Sequence, residues 1–191
     1  MGTGSERTGA SEGVRSTTMQ AAILGMLVVN VPLLLVSFGM GYASRFDLLS
    51  VSVSAHLKVG LLAAFLTVLT QTTTMFYFMG TGSAIKSEVR ERGLNPEFLA
   101  RARAFKGGFF YLLTLGILLI MAAAMIGGGA HADLLWSGGE GGRTFYQILH
   151  EVLAILSLLV NMVAFALTPV YIRKNNLLLD DVGSTRAATQ E

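Results

Sequence analysis

Four stretches of this chain are too long and too apolar for a water-soluble domain of its size. They cover roughly residues 19–42, 56–79, 108–126 and 145–172. A bilayer core of about 30 Å is crossed by about 20 mostly apolar helical residues, and each stretch reaches that length. Inside lipid only helices and closed barrels satisfy every backbone polar group, and uninterrupted runs of this length point to helices. The expected fold is therefore an all-α integral membrane protein, a bundle of four transmembrane helices in up-down-up-down order. Composition supports this: 52% of the 191 residues are hydrophobic and 14% charged, against about 25% charged in soluble domains. Disorder is excluded by the same balance. The absence of cysteine excludes disulfide scaffolds, thiolate metal sites and iron–sulfur clusters. A net charge of only +2, with the cations flanking apolar runs, gives no basis for a nucleic-acid partner.

Orientation follows from the cations. Arg7 and Arg15 precede the first span. Lys86, Arg90, Arg92, Arg101, Arg103 and Lys106 lie between the second and third, and Arg173, Lys174 and Arg186 follow the fourth. Only Arg45, Lys58 and Arg143 fall on the opposite side. Eleven against three predicts both termini in the cytoplasm; the expected location is a bacterial-type inner membrane. Tyr42, Tyr77, Tyr111, Trp136, Tyr146 and Tyr171 sit near span ends, where interfacial aromatics belong. Cleavage of the first span as a signal peptide is disfavoured by its length and its polar leader of about eighteen residues. Asn30-Val31-Pro32 inside it predicts a kink.

Residues 1–18 and 173–191 read as cytoplasmic tails around a transmembrane domain of 19–172. Residues 83–107 read as a cytoplasmic helical hairpin. Gly93 is its stop, and Asn95-Pro96-Glu97 supplies the N-cap, first position and first-turn acid of the returning helix. The other two connections are a Ser-rich segment, 43–55, and a Gly-rich one, 127–144. No internal repeat is obvious.

Function must be sought in polar residues placed where lipid disfavours them. In the second span, alternating steps of four and three give His56, Gly60, Ala63, Thr67, Thr70 and Thr74. The same walk in the fourth gives His150, Ala154, Ser157, Asn161, Ala164 and Thr168. Such spacing keeps residues on one helix stripe, and stripes of small and hydroxylated residues face other helices in lipid. The second and fourth helices of an up-down bundle run in the same direction and lie diagonally opposite. His56 and His150 are then expected at similar depth, pointing at each other across a gap too wide for a direct hydrogen bond. Gly60, Ala63, Ala154 and Ser157 leave space beneath the rings.

That is the geometry of two axial imidazoles on a haem iron. Without a C-x-x-C-H motif the haem is a non-covalent b type. At the level of architecture the arrangement resembles small four-helix membrane cytochromes b. It implies electron transfer, with quinol and a larger membrane redox complex as partners beside the lipid bilayer. His131 lies on the same face and takes a lesser role, bonding a haem carboxylate or replacing an axial ligand. Two alternatives stay open. One is a cofactor-free structural or assembly subunit that uses the seams for packing and the basic hairpin for docking. The other is a copper or zinc site built from the three histidines and neighbouring carboxylates, although no HxH, HxxxH or HExxH spacing preorganises it. Glu151, about 100° around the helix from His150, is expected near the interface, paired with Arg143 or Lys58. A transporter is the least favoured class, because no charged residue lies at the midplane.

Overall fold

The computed structural model describes residues 5–46, 48, 50–137 and 142–188, with side chains between Thr18 and Thr185. Four helices account for nearly all of it: α1 (Ser5–Arg45), α2 (Val53–Arg92), α3 (Glu97–Ser137) and α4 (Phe145–Ala188). All four are long and apolar enough to cross a membrane. Their ends follow local chemistry. The Ser52 hydroxyl accepts from the Ala55 amide at the start of α2. Gly93 closes that helix with φ 66°, a left-handed conformation that favours glycine. Asn95 Oδ1 then accepts from the Glu97 amide, so the hairpin turn forms as its residues predict. Thr144 and Gln147 exchange reciprocal side-chain bonds at the start of α4, a capping box.

Paired contacts fix the directions. Ser37 meets His56, Asn30 meets Thr67, and Gln20 meets Tyr77, so α1 and α2 are antiparallel. Ala123 meets His150, Gly116 meets Asn161, and Arg101 meets Asp181, so α3 and α4 are antiparallel as well. The pairs His56–His150, Gln71–Asn161 and Thr81–Asn175 show α2 and α4 running together in register. These two helices touch across the bundle, while α1 and α3 flank them.

The packing is that of a protein whose solvent is lipid. Val28 and Met125 are 75% and 74% exposed, whereas Asn30 and Asn161 are fully buried. Polar groups inside bond across helices, as Asn30 does with Thr67, or to the preceding turn of their own helix, as Thr74 and Thr168 do, and many large apolar groups face outward. Beyond the spans a second hydrophobic cluster forms, in which Ile85 and Val89 of α2 and Phe98 and Ala102 of α3 meet Leu178 and Val182 of α4. Residues after Ile172, read above as a tail, therefore continue α4 as a third helix against the hairpin. The pair Leu178 and Val182, spaced four apart, seals it. Likewise α1 reaches back to Ser5 through residues read as a tail. Extending a formed helix adds one bond per residue fixed, without a new nucleation cost. Pro32 lies inside the continuous α1.

Candidate functional site

At the end of the bundle away from the hairpin, His56 and His150 face each other. Their ring centres are 6.2 Å apart at an interplanar angle of 64°. Each ring leans on the preceding helix of its own hairpin. His56 Nδ1 lies 3.1 Å from the Ser37 carbonyl of α1. His150 Nδ1 lies 2.9 Å from the Ala123 carbonyl of α3. A carbonyl oxygen can only accept, so in both hydrogen bonds the ring donates from Nδ1. The neutral imidazole then keeps its lone pair on Nε2, the nitrogen left to bind a metal.

Glycines make this clamp possible. A Cβ at Gly41 would stand 3.1 Å from His56 Cε1, and one at Gly127 would stand 2.8 Å from His150 Cε1. Gly41 is one helical turn beyond Ser37, and Gly127 one turn beyond Ala123. Each ring is thus held by the same device, a carbonyl at i and a glycine at i+4 of the neighbouring helix.

The rings border a cavity of about 450 Å³. Its wall includes Gly60 and Ala64 of α2, Ala123 and Ala130 of α3, and Ala154 and Ser157 of α4. Of the residues expected from the sequence, His56, Gly60, His131, His150, Ala154 and Ser157 line it. Ala63 does not. It packs in the hydrophobic core, and its neighbour Ala64 takes the wall position. The wall contributed by α1 and α3, Gly41 and Gly127 above all, was not expected.

The mouth is polar. Glu151 accepts from Arg45 at 2.7 Å, from Tyr42 Oη at 3.0 Å, and from Arg143. Arg143 was expected as its partner. Arg45 stands where Lys58 was the other candidate. His131 sits beside them with Nδ1 buried and without a hydrogen-bond partner. Among the described residues no three His, Cys, Asp or Glu side chains converge as a metal-ligand set. The three-segment copper or zinc centre is therefore not formed by them. Asp47 and Glu140, carboxylates on the same side in the sequence, lie outside the described residues.

Below the cavity the seams close into a polar junction. Gln71 Nε2 donates to Asn161 Oδ1. Asn161 Nδ2 in turn donates to the Ser157 carbonyl at 2.8 Å and the Gly116 carbonyl at 3.3 Å. Thr67 donates to Asn30 at 3.2 Å. A third layer joins Gln20, Tyr77, Thr81, Asn175 and Asn176 at the hairpin end. These layers are filled, so space for a ligand is confined to the histidine end of the bundle interior.

Comparison with family models, with curated proteins and with solved structures returned no match.

Proposed function

We propose that this chain is a membrane electron-transfer protein or redox-complex subunit holding one non-covalent b-type haem between His56 and His150. The observation that carries the reading is the opposed pair of imidazoles, each with Nδ1 tied to a carbonyl and Nε2 free, at the border of a cavity with small-residue walls. Imidazole nitrogen binds transition metals at about 2 Å, so two rings sharing one metal have centres roughly 6 Å apart. The observed 6.2 Å meets that spacing. Zinc and copper draw three or four ligands from the protein, whereas a porphyrin brings four nitrogens of its own and asks the protein for two. Two histidines alone therefore suit haem better than a bare ion.

When bound, haem supplies reversible one-electron transfer. The chain's own residues do the rest. The Ser37 and Ala123 carbonyls fix both ring orientations and raise ligand basicity. Gly41 and Gly127 let the rings lie against the adjacent helices. The apolar wall excludes water, which sets the potential together with nearby charge. Arg45, Arg143 and the unpartnered His131 offer donors at the mouth for carboxylate groups. In this reading the helices cross a bacterial-type inner membrane up-down-up-down. Both termini are cytoplasmic, the histidine end is outward, and membrane quinol and a redox partner are the electron donor and acceptor. The Lys and Arg distribution supports that orientation.

Absorption spectra of protein purified in mild detergent from haem-replete cells test the reading. Dithionite reduction is expected to give a sharpened Soret band with resolved α and β bands. His56→Ala and His150→Ala are each expected to abolish them, and His131→Ala to retain them. A colourless preparation of folded protein overturns the proposal in favour of a structural subunit. Elemental analysis showing stoichiometric copper or zinc overturns it in favour of a bare metal.

A further inference from the structure

At the opposite end of the molecule, α2 and α3 border a groove of about 590 Å³. It sits where the apolar stretches end, at about residue 79 in α2 and 108 in α3. Its membrane side is walled by Phe78, Met79 and Phe110, and its far side by Lys86, Arg103 and Lys106. Arg90 aside, the hairpin's cations fall into two classes. Arg92 is paired with Glu88, and Arg101 with Asp181. Lys86, Arg103 and Lys106 instead converge on the groove, and no carboxylate lines it among the described residues.

Lys106 is built in rather than dangling. Its ammonium donates to the Phe78 carbonyl at 3.1 Å and to Thr81 Oγ1 at 3.4 Å. A Cβ at Gly82 would stand 3.2 Å from that nitrogen, so the glycine lets the ammonium lie close along α2. A fixed cation, two exposed ones and an adjacent aromatic wall form a surface for one amphiphile. An anionic headgroup meets the charges while the acyl chains follow Phe110 and Met79 into the membrane. Basic pockets between transmembrane helices recognise anionic lipids in this way.

We propose that this groove is a binding site for an anionic phospholipid, with the phosphate held by Lys86, Arg103 and Lys106. Native mass spectrometry of the full-length protein, titrated with phosphatidylglycerol in detergent, tests it. One tightly retained phosphatidylglycerol is expected, with phosphatidylcholine of the same chains lost readily. Each cation near a lipid surface is worth about fivefold in affinity, so Lys86→Gln with Arg103→Gln is expected to weaken retention roughly 25-fold. Both residues are exposed, so the fold should survive. Arg101→Gln, whose partner is Asp181 outside the groove, is expected to leave retention unchanged. Equal retention of the two lipids overturns the proposal, as does undiminished binding by the double variant. Displacement of the lipid by millimolar inorganic phosphate overturns it in favour of a free-anion site.

Discussion

At the scale of single residues, the site depends on hydrogen atoms standing where side chains could be. Gly127 touches the His150 ring so closely that a methyl group there would stand 2.8 Å from Cε1 and 2.9 Å from Nδ1. The ring would have to leave the Ala123 carbonyl. Under the proposed haem reading, Gly127→Ala is therefore expected to cost most of the haem, read as the Soret-to-protein absorbance ratio, while Gly128→Ala, which has open space at its Cβ, leaves it intact. Gly41→Ala, with a longer 3.1 Å approach, should fall between them. Equal spectra from all three variants would show that the ring positions do not matter. His56 and His150 were legible in the sequence because each heads a stripe of small and polar residues with a four-three rhythm. Gly41 and Gly127 were not, because they lie on other helices at unlike separations from their histidines. The glycine run 127–129 announced close packing without showing which member would touch a ring. The clamping carbonyls of Ser37 and Ala123 are backbone atoms and leave no trace in side-chain pattern.

At the scale of elements, the bundle is held by layers of polar contacts in a solvent that offers no hydrophobic drive between helices. The middle layer joins three helices at one point, where Asn161 of α4 takes the Gln71 amide of α2 and donates to Gly116 of α3. Interhelical hydrogen bonds in membranes average about 0.6 kcal/mol, with a maximum near 1.7. Asn161→Ala removes several at once and leaves the buried Gln71 amide without its acceptor. An expected loss of about 1–2 kcal/mol in reversible unfolding from mixed micelles follows, with the spectrum of the proposed haem retained because the histidines are held by Ser37 and Ala123 and not by Asn161. A loss of the spectrum without a loss of stability would mean that Asn161 acts on the cavity, through Ser157, and not on the bundle. The seams showed which faces of α2 and α4 turn inward, and Asn161 was expected to bond across helices. The extension of α4 was hidden because Asn175 and Asn176 follow Arg173 and Lys174, a run that reads as the start of a solvated tail. The asparagines are instead consumed by Tyr77, Thr81 and Gln20, and Leu178 and Val182 beyond them find the hairpin.

At the scale of the whole molecule, the two helical hairpins are built alike. Buried Ile23, Leu27 and Leu34 of α1 correspond to buried Phe109, Leu113 and Ile120 of α3. Buried Ala63, Thr67, Thr70, Thr74 and Phe78 of α2 correspond to Ser157, Asn161, Ala164, Thr168 and Ile172 of α4. The clamps correspond too, Ser37 and Gly41 on His56, Ala123 and Gly127 on His150. Few of these pairs share a residue type, and α3 runs on to Ser137 beyond Gly127 whereas α1 ends at Arg45, soon after Gly41, so the two helix pairs are offset unequally and the correspondence was invisible as a sequence repeat. It makes the molecule two halves, each carrying one imidazole, facing across a shared cavity. Parallel repeats of this kind place sites at the repeat interface. Cutting the chain in the connection 93–96 separates the halves while leaving α1–α2 and α3–α4 each intact. Co-expressed fragments 1–94 and 95–191 are expected to copurify, held by the packing of α2 on α3 and of α4 on α1 and α2, and to show the reduced haem spectrum together. Either fragment alone brings one imidazole and is expected to show none. A full spectrum from one fragment would mean that unlike halves are not required to complete the site. Fragments that copurify without colour, where the uncut protein is coloured, would mean that the hairpin turn itself sets the distance between the rings.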